Sequence, residues 1–142
     1  MKKIVQDFLL MVQFLTRIPI QAKLPCHHSN FRRGALFMPL IGLLIGTLQY
    51  IMAYLLYPTL PPSVLAGIVV VFPIIITGGL HLDGLGDTCD GFFAFKGDHN
   101  KIIEIMKDSS SGTYAICAVV CNILLQYGTI EYLLEQNNFK VL

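Results

Sequence analysis

One uncharged run decides the fold: "GALFMPLIGLLIGTLQYIMAYLLYPTLPPSVLAGIVVVFPIIITGGL", residues 34–80. As a single helix it would be roughly 70 Å long at ~1.5 Å per residue, whereas a bilayer core is only ~30 Å thick. The run must therefore fold back. The break is supplied by "PTLPPS", residues 58–63, because proline lacks a backbone N–H and restricts the residue before it. The sequence predicts two spans, at about residues 35–57 and 63–80.

The composition supports a membrane protein. The chain is 54% hydrophobic and 13% charged, against about 25% charged residues in a typical soluble domain. A third candidate span, residues 113–134, is weaker because Asn122 and Gln126 interrupt it. We therefore expect an all-α, polytopic membrane helical bundle of about three spans, forming one integral-membrane domain over residues 1–142. A net charge of +1 and the lack of a basic run with aromatics argue against nucleic-acid binding.

The N-terminal segment has the pattern of an amphipathic helix. Its apolar residues recur at helical spacing: Ile4, Val5, Phe8, Leu9, Val12 and Leu15. Its other side carries the polar residues Lys2, Lys3, Gln6, Asp7 and Gln13. Such a helix can lie at the membrane surface or pack on the bundle, and the sequence leaves both open.

The basic residues predict an orientation in the lipid bilayer. Those before the first span are Lys2, Lys3, Arg17, Lys23, Arg32 and Arg33. The segment between the first two spans has none, and Lys96, Lys101 and Lys107 precede the third span. Because basic residues concentrate on the cytoplasmic side, we expect the N-terminus and the segment after the second span to be cytoplasmic.

We expect that segment, residues 81–112, to form a cytoplasmic, aspartate-rich loop, which begins with "HLDGLGDTCDG" at residues 81–91. Asp83, Asp87 and Asp90 follow i, i+4, i+7 spacing, so on a helix they would share one face and repel one another. A divalent cation would remove that repulsion, and hard oxygen ligands suit Mg²⁺ completed by substrate phosphates. Gly84, Gly86 and Gly91 would let the backbone approach a phosphate or unwind.

Two other interpretations of the aspartates remain open. They could form a solvated acidic loop without a ligand, or a proton or cation pathway, since acids inside membranes often serve transport. Against a pathway, the acids cluster at one boundary and do not recur through the spans.

Four blocks in order resemble one family. "GGLHLDGLGDTCDGFFA", residues 78–94, is similar to the signature of the cobalamin 5'-phosphate synthase family, also called adenosylcobinamide-GDP ribazoletransferases. The other blocks are "FLTRIP" (14–19), "RRGALFMPLIGLLIG" (32–46) and "IIEIMKDSSSGTYA" (102–115). Two features depart from the family: Ser110 stands where an arginine is usual, and family members are longer. The chain therefore resembles the N-terminal part of a longer fold.

The resemblance implies a Mg²⁺-dependent transferase of cobalamin (vitamin B12) biosynthesis in the bacterial inner membrane. The family transfers the adenosylcobinamide phosphate group from adenosylcobinamide-GDP to α-ribazole or its 5'-phosphate. The ribazole 3'-hydroxyl attacks, GMP leaves, and adenosylcobalamin or its 5'-phosphate forms. Association with other cobalamin-pathway enzymes is a further expectation.

Combined with the residue pattern, the resemblance yields a candidate site. The expected metal ligands are Asp83, Asp87 and Asp90; the expected catalytic residues are Asp87, Asp108 and His81; the expected substrate-binding residues are Arg33, Lys107 and Ser109. Each has a structural alternative. Asp108 could cap a helix, the basic residues could serve only as membrane anchors, and His81 could be an ordinary interface histidine.

Two further functions stay open at this point. Another membrane transferase acting on a diphosphate, such as a prenyltransferase, would also use aspartates and Mg²⁺, but would release pyrophosphate where the synthase releases GMP. A fragment that inserts in the membrane without activity is the non-enzymatic alternative.

Overall fold

The computed structural model of the chain describes residues 2–93, 99–108 and 110–136. The regular secondary structure of these residues is entirely helical, with no β-strand among them, so the all-α prediction is confirmed. The elements are α1 Lys2–Leu15, α2 His28–Gly34, a 3₁₀ turn Ala35–Phe37, α3 Met38–Leu56, α4 Pro62–Thr77, α5 Leu80–Phe93, α6 His99–Lys107 and α7 Thr113–Glu135.

The first span begins earlier than the sequence predicts. α2, the 3₁₀ turn and α3 form one continuous helix, His28–Leu56, of 29 residues. The polar start of this helix is stable because it packs on α1, with Asn30 and Gly34 buried. A Cβ at Gly34 would lie 2.5 Å from the Cγ of Met11, so glycine permits this close contact.

The second span is short and sharply bent. α4 has 16 residues, roughly 24 Å at ~1.5 Å per residue, and ends at Gly78 and Gly79 with φ of 65° and 78°. Their N–H groups donate to the carbonyls of Ile75 (3.2 Å) and Ile74 (2.9 Å), which terminates the helix without losing these hydrogen bonds. α5 follows at 88°. The prediction of an aspartate-rich loop is therefore wrong: residues 80–93 are helical.

Within the described ranges, two helices are long and apolar enough to cross a membrane: His28–Leu56 and Thr113–Glu135. The number rises to three if the bent α4–α5 pair is one span. The three predicted spans thus correspond to two straight helices and one bent pair. The bounds of α7 agree closely with the predicted third span, residues 113–134.

Most of the buried apolar residues in the described part of the chain form two clusters that include residues of α3. Near its C-terminal end, Ala53 packs with residues of α4 and α7, including Leu65, Val69 and Leu134. Near its N-terminal end, Ile41 packs with Met11, Val12 and Leu15 of α1. α1 therefore packs on the bundle, which decides between the two interpretations of its amphipathic pattern.

The prediction that Asp7 lies on the polar side of α1, away from its packed face, is wrong. That carboxylate is 2% exposed, whereas Ile4 and Val5 are 61% and 54% exposed. The helix is rotated so that Asp7 meets polar groups of α2, and the energy of those contacts offsets the burial of a charge. Apolar spacing could not reveal this, because the partners of Asp7 lie on a different helix.

Candidate functional site

A cavity of about 720 Å³ opens where the bend between α4 and α5 meets α7 and the segment after α1. Its volume falls in the range of small-molecule sites, about 300–1,000 Å³. The residues that give it chemical character are Arg17, Gly78, Asp83, Asp87 and Ser111. The cavity therefore collects residues from three separate parts of the sequence: residues 14–17, 77–87 and 111–120.

Asp83 and Asp87 both line this cavity, one helical turn apart on α5. Asp83 is exposed and Asp87 is half-buried. Among the described residues, neither carboxylate accepts a hydrogen bond or forms an ion pair. Their oxygens are therefore available to a ligand that enters the cavity.

Asp90, predicted as the third metal ligand, has a different environment. It is 7% exposed, and its Oδ2 and Oδ1 accept hydrogen bonds from the backbone N–H groups of Gly112 (2.5 Å) and Ala115 (2.9 Å). These donors belong to the N-terminus of α7, whose N-cap residue, Gly112, has no side chain to serve as a cap. Asp90 thus caps α7 from α5, and its negative charge complements the helix dipole.

The three aspartates predicted as metal ligands are not gathered into one group in the described part of the chain. No group of three or more His, Cys, Asp or Glu side chains there is arranged to hold a metal ion. The i, i+4, i+7 spacing does place the three residues on related faces of α5, but Asp90 is bound to α7. Only Asp83 and Asp87 line the cavity together.

The glycines of the motif permit helix packing. A Cβ at Gly86 would lie 3.2 Å from the Cβ of Ala115 on α7, and one at Gly91 would lie 2.7 Å from the Cγ of Met106 on α6. Both glycines are buried within a continuous helix. The expected unwound turn is therefore absent from α5, and the predicted phosphate approach does not explain these two glycines. Gly84 has open space around it.

Asp108 lies in a neighbouring cavity of about 380 Å³, together with Asp90, Ser110 and Ser111. Its Oδ1 accepts hydrogen bonds from the hydroxyl (2.6 Å) and the N–H (3.1 Å) of Ser110. The Ser110 hydroxyl is the main reason that the pKa of Asp108 lies below its ordinary value. Because Ser111 lines both cavities, they adjoin at the N-terminus of α7.

The remaining predicted residues are not gathered in the main cavity. His81 lines a separate cavity of about 410 Å³ between α4, α5 and α7, beside Asn122 and Gln126. Lys107 is exposed at the end of α6. Ser109 lies outside the described residues. This cavity adjoins the main one, because Thr77 and Leu82 line both, and the catalytic role of His81 stays a prediction.

Arg33, predicted to bind substrate, is engaged by Asp7. Its Nε donates to Asp7 Oδ2 at 2.7 Å and its Nη2 to Oδ1 at 3.2 Å, while Asn30 donates to the same Oδ1 at 2.7 Å. The Arg33 hydrogen bond is the main cause that lowers the pKa of Asp7, and burial opposes it. Arg33 does not line the main cavity. It joins α1 to α2, which the charge count could not predict.

Sequence reasoning missed Arg17, the arginine that does line the main cavity. Arg17 belongs to the "FLTRIP" block, which carried part of the family resemblance. That block was the available signal, but the sequence alone supported only a role for Arg17 in membrane orientation.

Comparisons with known proteins confirm the family resemblance. The sequence profile of the family described as Cobalamin-5-phosphate synthase matches residues 7–142. The Adenosylcobinamide-GDP ribazoletransferase of Clostridium tetani (strain Massachusetts / E88) is 49% identical over 135 residues, which are 95% of this chain and 54% of that protein. The protein of the same name from Clostridium kluyveri (strain NBRC 12016) is 52% identical over 127 residues, 89% of this chain and 50% of that protein.

The chain spans about half the length of the curated relatives it matches. No solved structure matches the chain. The profile match covers nearly the whole sequence, and each of the two relatives matches most of this chain. The chain therefore belongs to the cobalamin-5-phosphate synthase family.

Proposed function

We propose that this chain carries part of the active site of an adenosylcobinamide-GDP ribazoletransferase. The reaction would transfer the adenosylcobinamide phosphate group from adenosylcobinamide-GDP to α-ribazole or its 5'-phosphate, releasing GMP and forming adenosylcobalamin or its 5'-phosphate. The observation that carries the proposal is the cavity in which Asp83 and Asp87 present carboxylates without internal donors among the described residues. Family membership supplies the substrate class.

Asp83 and Asp87 have suitable chemistry for Mg²⁺. Carboxylate oxygens are its preferred protein ligands, and it is often held by one or two carboxylates with water and substrate phosphates. Two available carboxylates one turn apart meet that need without Asp90, which caps α7. Bound there, Mg²⁺ would neutralise charge on the diphosphate and on the departing GMP.

The transfer itself would require alignment and one proton acceptor. The 3'-hydroxyl oxygen of the ribazole forms a bond to the cobinamide-linked phosphorus, the phosphoanhydride bond breaks, and its electron pair leaves with GMP. Asp108 is the candidate acceptor of the hydroxyl proton, because the Ser110 hydrogen bonds lower its pKa and keep it ionised. The same lowered pKa makes it a weak base. Lys107 and Ser109 stay candidates for phosphate contact.

The expected orientation belongs to the same proposal. The end of the bundle with the main cavity would face the cytoplasm, where the nucleotide substrate is available. Arg17 and Arg32 and the basic residues after α5 support this side by the positive-inside rule. The apolar surface of α3, on which Leu43 and Leu55 are 66% and 67% exposed, would face lipid or other helices.

The test is GMP release from adenosylcobinamide-GDP by membranes that contain the chain, with and without α-ribazole and with and without EDTA. In a second arm, this chain replaces the matching half of the Clostridium tetani relative, so that a full-length chimera is assayed. We expect ribazole- and Mg²⁺-dependent GMP release in at least the chimera. Failure of both arms, with the proteins verified in the membrane, contradicts the proposal. Pyrophosphate release from a prenyl diphosphate, supplied in a separate assay, would favour a prenyltransferase.

A further inference from the structure

Arg17 is fixed at the bend between α4 and α5. Its backbone N–H donates to the carbonyl of Ile76, in the last turn of α4, at 2.7 Å. This hydrogen bond ties the segment after α1 to the end of α4, although the two are far apart in sequence. Arg17 therefore reaches the main cavity from a backbone position that the fold holds in place.

The Arg17 side chain is also held by its contact with Gly78. A Cβ at Gly78 would overlap the Nε of Arg17, so the guanidinium stem lies directly against the glycine backbone. Gly78 has a φ of 65°, a conformation that glycine adopts without strain. Two features of this glycine, its left-handed backbone and its missing side chain, thus permit the position of Arg17.

The guanidinium has no protein partner among the described residues: it forms neither a hydrogen bond nor an ion pair there. Arg33 differs, because N–H groups of its guanidinium donate hydrogen bonds to the Asp7 carboxylate. Arg17 is exposed to the cavity that Asp83 and Asp87 also line, yet it is not paired with either. The cavity therefore presents a fork of N–H donors and two carboxylates, all unpaired within the described chain.

We propose that Arg17 binds phosphate oxygens of the diphosphate substrate. A diphosphate with a divalent cation matches both sets of groups, since its oxygens accept from a guanidinium while the cation is bound by carboxylates. Planar guanidinium donors suit phosphate because two N–H groups can bind two oxygens at once. This inference rests on the proposed function and adds a residue to its binding site.

A structural role for Arg17 makes a different prediction. The residue lies near the C-terminus of α4, where any cation is favoured by the helix dipole. If that were its whole role, replacing it would lower thermal stability and leave diphosphate affinity unchanged. Affinity and stability measured on the same variants therefore separate the two roles.

The experiment measures binding of inorganic pyrophosphate, with Mg²⁺ present, to the detergent-solubilised chain by titration calorimetry. Variants are R17Q, R17K and, as a matched control, R32Q, which changes an exposed arginine outside the cavity. We expect R17Q to bind about tenfold or more weakly, because charge-assisted hydrogen bonds are lost. R17K should have an intermediate affinity, since lysine keeps the positive charge but lacks the paired N–H donors of the guanidinium. R32Q should bind pyrophosphate as tightly as the wild type.

Equal affinity of R17Q and wild type overturns the inference, as does a wild-type chain that does not bind pyrophosphate. Thermal unfolding of each variant shows whether a loss of binding accompanies a loss of fold. If R17Q unfolds, the pyrophosphate affinity of R17K decides. An R17K affinity equal to that of the wild type overturns phosphate recognition by the guanidinium N–H groups. GMP release by the chimera is measured separately, so a failure of the proposed function is distinguishable from a failure of Arg17 binding.

Discussion

Two acidic regions of this protein differ in what surrounds their carboxylates. Asp7, between α1 and α2, is almost fully buried and accepts hydrogen bonds from Arg33 and Asn30. Asp83 and Asp87, on α5, line an open cavity and accept none within the described residues. In the sequence, Asp7 is an isolated acid in an apolar helix, whereas the aspartates of α5 form a dense motif. Asp7 nevertheless has hydrogen-bond donors, and Asp83 and Asp87 have none among the described residues.

The difference shows which charges have a structural use inside the protein. A buried carboxylate is tolerated when donors surround it, as at Asp7 and Asp90, and its removal should lower stability. A cavity carboxylate without donors contributes little to stability and remains available for a ligand. Substitution of Asp7 should therefore lower stability, whereas substitution of Asp83 or Asp87 should lower activity and change stability little.

The largest expected effect is on catalysis by Asp87. D87N in the full-length chimera should lower GMP release by about 100-fold or more, because removing the charge removes a metal ligand and its electrostatic stabilisation of the transition state. Thermal unfolding should be unchanged. E104Q is the control, since Glu104 is an exposed acid on α6 outside both cavities. Turnover by D87N near the wild-type rate would remove Asp87 from the site.

The two glycines of the bend offer a matched pair. G78A and G79A both place alanine in a left-handed conformation, at a cost of about 1–2 kcal/mol each. Only the Cβ at position 78 meets Arg17, whereas position 79 has open space. Pyrophosphate affinity, measured by calorimetry, should therefore fall about tenfold in G78A and little in G79A. Equal losses would assign the effect to the backbone alone.

Asp90 should behave as a structural acid despite its place in the motif. D90A removes the cap of α7 and should lower the free energy of unfolding by about 1–2 kcal/mol, measured by denaturation in detergent. D83N, about two turns earlier on the same helix, should change it by less than about 0.5 kcal/mol. A stable D90A variant would show that α7 does not need this cap.

The smallest effect concerns pH. Arg33 holds the pKa of Asp7 below its ordinary value of 3.8, so folding favours the ionised form. The stabilisation is fully present above pH 3.8 and declines as pH falls from there through the lowered pKa of the folded state. The difference in melting temperature between wild type and D7N should shrink in that range. A difference that grows on acidification would contradict the assigned pair.

Several features were predictable because they depend on residues close in sequence. The uncharged run, its proline break and the bounds of α7 follow from hydropathy and from proline chemistry. The spacing of Asp83 and Asp87 was enough to place both on one side of a helix. The bend was not predictable, because "GG" at residues 78–79 suits a loop as well as a helix end, and the aspartates were expected in a loop.

By itself, the sequence determined the helical membrane architecture, the family and the presence of one dense acidic motif. The tertiary structure alone decided how each charge is used. Asp90 caps α7, Asp7 binds Arg33, and Arg17 reaches the cavity of Asp83 and Asp87. Periodicity reports the face of a helix on which a residue lies, whereas the donors that meet that face come from distant segments. A carboxylate's partners are therefore fixed only when the helices pack.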